Sequence, residues 1–98
     1  MSSPIREILV VLDADYVPQK ISAEYKLAHQ ATIQAINTND INGSAIGSEN
    51  VDPRTGVNQK GIILFPAQAK SYDMADLSET YLAGKAGDRF LVQYQLNK

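Results

Sequence analysis

The chain has 98 residues and no cysteine, and its 9 Lys and Arg residues stand against 11 Asp and Glu residues for a formal net charge of −2. This length suits a single domain over residues 1–98. The lack of cysteine excludes disulfides, thiolate metal ligands and cysteine nucleophiles. The mild acidity argues against a nucleic-acid partner, which would need clustered Lys and Arg.

The start of the chain shows no secretory signal, because residues 1–4 are not followed by a basic segment and a long apolar one. The longest apolar run, residues 8–12, is far shorter than a membrane span. We therefore expect a cytoplasmic protein without a membrane partner.

The first predicted element is a strand over residues 8–17. Five consecutive aliphatic residues at its start suit a central strand that is buried on both faces. Pro18 ends the pairing because it has no N–H to donate. Only residues 18–20 separate this strand from the next patterned segment, which predicts a hairpin.

Residues 21–36 alternate with a period of two: seven of the eight odd positions are apolar, and His29 is the exception. Such alternation places one face in a core and predicts a strand. The Ala, Gln, Glu and Lys content favours a helix instead, although Leu27 and Ile33 fall away from the apolar stripe of that helix. The strand gives an all-β fold, and a helix over residues 22–36 gives an α+β fold.

Residues 37–61 are rich in Asn, Asp, Gly and Pro, which predicts turns. Short strands around residues 45–46 and 51 are one interpretation, and a single mobile loop is the other. Further strands are predicted over residues 62–69 and 88–97. Between them, Asp73 is placed to cap a short helix near residues 73–82 that Gly84 ends.

Together these elements predict an all-β fold, a small antiparallel sandwich or partly open barrel of five or six strands with at most one short helix. The α+β fold is the alternative.

Asp13 and Asp15 are candidate metal ligands. On a strand their side chains leave the same face roughly 7 Å apart, which suits a shared divalent cation or an acid–base pair. A solvated strand end, whose charges oppose aggregation, explains the same residues.

The candidate ligand-binding or partner-binding residues are His29, Asp40, Asn42, Glu49 and Asp52. The histidine is either a base or metal ligand, or a hydrogen-bonded core imidazole. The other four have the composition of a calcium loop, but the EF-hand spacing fails because its first position lacks a carboxylate. A looser oxygen site and plain turn formation both remain as interpretations.

Two anchors in the chain carry a family resemblance. Residues 7–17 form an aliphatic run that ends in an aspartate before a short polar and aromatic stretch, and residues 75–78 and 86–90 surround a Gly-Asp turn. In this order the anchors resemble the two signatures of the PixA/AidA-type bacterial inclusion-body proteins. The resemblance implies a β-sandwich-like protein that accumulates in cytoplasmic inclusions, and it carries over no catalytic residue.

No catalytic motif fixes a function, and the expected function is a non-enzymatic structural or interaction module. Small β domains manage exposed edges by pairing with another copy, so we expect a homo-oligomer that needs no cofactor; any other protein or small-molecule partner is unknown. The alternative is a small ligand-binding or metal-binding domain, with or without catalysis, centred on Asp13 and Asp15 with a divalent cation.

Overall fold

The computed structural model describes residues 5–54 and 59–96, which form eight strands and no helix. The strands are β1 (Arg6–Val11), β2 (Gln19–Lys20), β3 (Leu27–Ala35), β4 (Ser44–Gly47), β5 (Ile62–Leu64), β6 (Ala69–Asp76), β7 (Tyr81–Ala83) and β8 (Arg89–Leu96). The all-β prediction is confirmed, and the helices over residues 22–36 and 73–82 are wrong. Three parts of the predictions lie outside the described residues. They are the strand end at residue 97, residues 1–4 at the start of the chain, and residues 55–58 of the loop-rich region.

The strands form two four-stranded sheets in which neighbouring strands are antiparallel. The first sheet has the order β1-β8-β3-β6, and the second has the order β2-β7-β4-β5. This is the strand order of a jelly roll, a sandwich of two Greek keys. The described residues thus contain more strands than predicted, because β2 and β7 have two or three residues each and are too short to show alternation. The strand predicted over residues 62–69 is observed as β5, which ends at Leu64, and β6 occupies residues that include the start of the predicted helix. The described part of the chain contains no helix that is long and apolar enough to cross a membrane.

One hydrophobic core lies between the two sheets. The first sheet contributes Phe90, Ile33 and Val92, and the second contributes Ile46 and Leu82, all of them at most 1% exposed. Burial of a side chain of this size stabilises a fold by roughly 1.5–3 kcal/mol. The pairing register therefore matters, because a slip by one residue would move such side chains to the other face.

A β-bulge in β3 changes which of its side chains are buried. The register with β8 shifts between His29 and Thr32, and Gln30 adopts a positive φ of 49°. Before the shift, Ala28 is fully buried. After it, the buried residues are Ala31, Ile33 and Ala35. Because the bulge reverses the alternation, His29 lies on the face away from the core, and its predicted place in the apolar register is wrong.

β1 ends at Val11, so the predicted strand over residues 8–17 is wrong beyond that point. There the side chain of Gln19 takes the place of a neighbouring strand: its Oε1 accepts from the Asp13 N–H (3.0 Å), and its Nε2 donates to the Val11 carbonyl (3.0 Å). The predicted hairpin with residues 21–36 is also wrong, because β1 pairs with β8, and β8 separates it from β3.

The segment predicted as a short helix instead leaves β6 through a tight turn. The Asp76 Oδ1 accepts hydrogen bonds from the Ser78 hydroxyl (2.7 Å) and N–H (3.0 Å). These bonds, that of the hydroxyl above all, hold the pKa of Asp76 below its ordinary value. Asp76 therefore stabilises a turn where Asp73 was expected to start a helix.

Gly61 leaves no room for a side chain. Its φ is +105°, and a Cβ there would lie 2.6 Å from the Ile46 carbonyl oxygen and 2.5 Å from Val51 Cγ2. We expect Gly61→Ala to lower the free energy of unfolding by about 2 kcal/mol or more, because backbone strain and steric overlap act together. Urea unfolding followed by circular dichroism measures the change.

The matched control is Gly47→Ala. The φ of Gly47 is not positive, and the nearest heavy atom to an added Cβ is 3.4 Å away. Its free energy of unfolding should change by less than about 0.5 kcal/mol. Equal effects of the two substitutions would contradict the steric argument.

Candidate interaction surface

β1 is an edge strand of the first sheet, and among the described residues only β8 pairs with it. Just beyond β1, the Leu12 N–H donates to the Asp88 carbonyl (2.9 Å) on the β8 side. Since successive residues of an antiparallel strand alternately face their partner, the N–H and C=O groups of Glu7, Leu9 and Val11 face the open side. The Val11 carbonyl of this row accepts from the Gln19 side chain, and the other groups of the row have no strand partner among the described residues. Such an open row is a template for another strand.

The outer face of this edge is apolar. Leu9 is 56% exposed and Val11 is 43% exposed, and Ile5, just before the strand, is 67% exposed. The charged residues of β1, Arg6 and Glu7, both lie at its first end. The prediction of a central strand buried on both faces is wrong, because a run of apolar residues does not encode the order of strands in a sheet.

The opposite edge of the first sheet, β6, has a different character. It carries Lys70, Asp73 and Asp76 along its length, and charged side chains on an edge oppose pairing with another strand. Met74 is exposed there to the same degree as Leu9, 56%. The first sheet therefore has one protected edge and one open edge.

Asp13 and Asp15 lie in the connection between β1 and β2, where both are exposed. The Asp15 Oδ1 accepts a hydrogen bond from the Ala86 N–H (2.8 Å) and ties this connection to the turn before β8. The predicted geometry, two side chains on one face of a strand, is wrong because the strand has already ended. Asp15 has a structural partner instead.

His29 lies in β3, with Met74 and Gln95 as its cross-strand neighbours. Its Nε2 is buried and has no hydrogen-bond partner within residues 5–54 and 59–96. In the same residues, no group of three or more His, Asp or Glu side chains is placed to hold a metal ion. The structure thus does not gather His29, Asp13 and Asp15 into such a group.

The other predicted site residues lie in the connections before and after β4. Asp40 accepts a hydrogen bond from the Asn42 N–H (2.8 Å), as in an Asx turn. Glu49 and Asp52 line a shallow depression of ≈ 370 Å³. Asn42 lines a separate groove of ≈ 670 Å³, together with Arg54. Asp52 lines the depression and Arg54 lines the groove, so the ion pair between them links the two sites.

Sequence reasoning missed Arg54 and Tyr16. Arg54 Nη2 lies 2.7 Å from Asp52 Oδ2, Arg54 Nε donates to Asp52 Oδ1 (3.1 Å), and the guanidinium carbon lies 4.9 Å from the centre of the Tyr16 ring. The hydrogen bonds from Arg54 hold the pKa of Asp52 below its ordinary value of 3.8. The Asp-Pro-Arg spacing was a local signal for the ion pair, but no local signal places Tyr16 against it.

No protein-family model, curated protein or solved structure matches this chain. The resemblance to the PixA/AidA-type inclusion-body proteins therefore stays a prediction.

The lowered pKa of Asp52 predicts a change of stability with pH. A carboxylate whose pKa is lower in the folded state adds stability above its unfolded pKa, and this stability is lost as the pH falls through the folded pKa. We expect the wild-type Tm to decline below about pH 4, and we expect Asp52→Asn to lower Tm at pH 7 and to flatten this decline. Thermal unfolding between pH 2 and pH 7 measures both effects.

Asp73→Asn, a change to an exposed carboxylate on β6, is the control, and it should keep the wild-type profile. Asp76 should preserve part of the acid decline in every variant, because its pKa is also lowered. A profile for Asp52→Asn parallel to that of the wild type would contradict the role given to the ion pair.

Proposed function

We propose that this protein is a structural or interaction module, without catalysis, that self-associates by pairing β1 of one copy with β1 of a second copy. The observation that carries the proposal is the open edge of β1, with the backbone groups of Glu7, Leu9 and Val11 facing outward beside exposed apolar side chains. Antiparallel pairing would give strand partners to these backbone groups, with the second copy taking the place of the Gln19 side chain at the Val11 carbonyl, and it would remove the apolar side chains from water.

A two-fold axis perpendicular to the first sheet keeps the outer faces of both copies on the same side. With Leu9 on the axis, the two Leu9 side chains face each other, and Val11 faces Glu7 of the second copy. Within its own copy Val11 is paired with Arg89 of β8. In the joined sheet, Glu7 of the second copy, Val11 and Arg89 then lie in one row. The opposite charges of Glu7 and Arg89 on either side of Val11 favour this register.

The charged β6 edge explains why such pairing closes as a dimer. A sheet with two open edges can extend by adding copies on both sides. Here Lys70, Asp73 and Asp76 oppose addition at β6, so the association uses β1 alone. A single self-complementary surface gives a closed two-fold dimer.

A charge at the centre of the β1 edge should prevent the dimer. In Leu9→Lys two ammonium groups would face each other across the axis, so we expect the dissociation constant to rise at least about tenfold. Because the side chain is 56% exposed, the fold should be retained, which circular dichroism checks. Sedimentation velocity over a range of protein concentrations measures the association.

The matched control is Met74→Lys, which adds the same charge at an equally exposed position on the other edge. It should leave the dissociation constant unchanged. A wild-type protein that stays monomeric at every concentration contradicts the proposal, and so does an equal effect of the two substitutions.

Amide hydrogen exchange tests the same pairing at the level of the backbone. The N–H of Leu9 faces the open edge, so its exchange should slow as the protein concentration rises and dimers form. The Val10 N–H faces β8 and should be protected at all concentrations. Exchange of the Leu9 N–H that is fast and independent of concentration, in a sample shown to be dimeric, would move the interface away from β1.

A further inference from the structure

A groove of ≈ 670 Å³ is formed by side chains from separate connections of the chain. Tyr16 comes from the β1–β2 connection, Asn42 from the β3–β4 connection, Arg54 from the segment after β4 and Phe65 from the residue after β5. Its volume is within the range of small-molecule pockets. None of its lining residues belongs to β1, so this site goes beyond the self-association proposed above.

The guanidinium of Arg54 is held in place and still exposes donors. Its Nε and Nη2 bind the Asp52 carboxylate, and the Tyr16 ring lies against its face. The side chain of Arg54 nevertheless remains 58% exposed, and within the described residues its Nη1 has no hydrogen-bond partner. A group that is already oriented loses little conformational freedom when a ligand accepts its remaining hydrogens.

Part of the groove wall is apolar and open to water. Phe65 is 47% exposed and Ile41 is 81% exposed. Gly43, with a φ of +92°, lets the Phe65 ring pack closely on the backbone, since an added Cβ would lie 3.3 Å from the ring carbons. The ring is thus supported on one side and presents apolar surface to the groove. The Asn42 side-chain amide, which has no hydrogen-bond partner among the described residues, stands beside it and offers both a donor and an acceptor.

Tyr16 holds an unusual backbone conformation at this place. Its φ is 58°, and its N–H donates to the Gly84 carbonyl (2.6 Å). A bulky residue with a positive φ is uncommon, and such strain persists only where the surrounding structure fixes it, as it often does around ligand sites. Glycine would adopt this conformation more easily but would remove the ring that lies against Arg54.

We infer that this groove binds a neutral saccharide. The apolar C–H face of a sugar ring packs on the Phe65 ring, and its hydroxyl groups take up the remaining donors of Arg54 and the amide of Asn42. Binding sites for small polar ligands combine apolar and aromatic walls with a few placed hydrogen-bonding groups in this way.

The charge of the groove selects a neutral ligand over an anion. The positive charge of Arg54 is already compensated by Asp52, whose Oδ2 lies 2.7 Å from Nη2. The groove has no other Lys or Arg among its described lining residues, and the protein as a whole carries a net charge of −2. A phosphate or carboxylate ligand would therefore gain little from electrostatics, whereas hydroxyl groups need donors and acceptors without net charge.

The test is a titration of ¹⁵N-labelled protein, followed by NMR, with glucose, galactose, mannose, fucose and N-acetylglucosamine in turn, and with inorganic phosphate as the anionic probe. The proposal expects at least one sugar to shift the signals of residues 41–43 and 65 together with the Arg54 Nε–H, and it expects phosphate to shift them less. A neutral glycan array extends the same test to oligosaccharides.

Phe65→Ala and Asn42→Ala should each weaken the binding of that sugar by about tenfold or more, because each removes one of the two kinds of contact. Phe65→Tyr should retain it, since the aromatic face remains. The matched control is Ile62→Ala on β5, which is similarly exposed at 42% but does not line the groove. Performing the titrations in the Leu9→Lys background separates them from self-association.

The inference is overturned if no sugar on the array or in the titrations binds, or if phosphate shifts the groove signals more than any sugar does. It is also overturned if the shifts lie outside the groove, for example on the outer face of the first sheet. Saccharide binding that Phe65→Ala and Ile62→Ala weaken equally would likewise remove the groove from the explanation.

Discussion

Burial of one face of each sheet against the other is the constraint on which the rest of this structure depends. The described residues form no helix that could cover either sheet. The apolar rows of the two sheets, around Phe90, Ile33 and Leu82, are therefore buried by packing against each other. The jelly-roll order meets this constraint by sending the chain repeatedly from one sheet to the other. Its connections then gather at the ends of the sandwich, where the groove forms.

Side-chain hydrogen bonds hold these connections where no strand is present to do so. Asn39, which is 8% exposed, donates to the Arg89 carbonyl (2.7 Å) and accepts from the Arg89 N–H (2.7 Å). Asp88 accepts from the Asp40 N–H (3.0 Å) beside it. Buried polar groups need such partners. The bonds fix the connection that presents Asn42 to the groove. The start of β8 thus supports a site that it does not line.

The open β1 edge and the groove are separate consequences of the same core. The edge remains because a sandwich, unlike a closed barrel, leaves its outermost strands without a second partner. Recognition at the edge depends on backbone groups and apolar side chains, whereas recognition in the groove depends on a few oriented polar groups beside an aromatic ring. The two surfaces can therefore be altered independently, because no residue is shared between β1 and the lining of the groove.

The sequence by itself determined the class of fold and the identity of its best-patterned strands, since alternation in β3 and β8 reports directly which residues avoid water. Turn-forming residues also indicated that Asn42 and Asp52 lie in connections outside the main strands. It did not determine that β1 is an edge strand, that Gln30 reverses the alternation in β3, or that Tyr16 meets Arg54. Each of these depends on which strands become neighbours in space, and strand order is decided by the packing of the whole core. Short-range patterns carry no information about such distant partners.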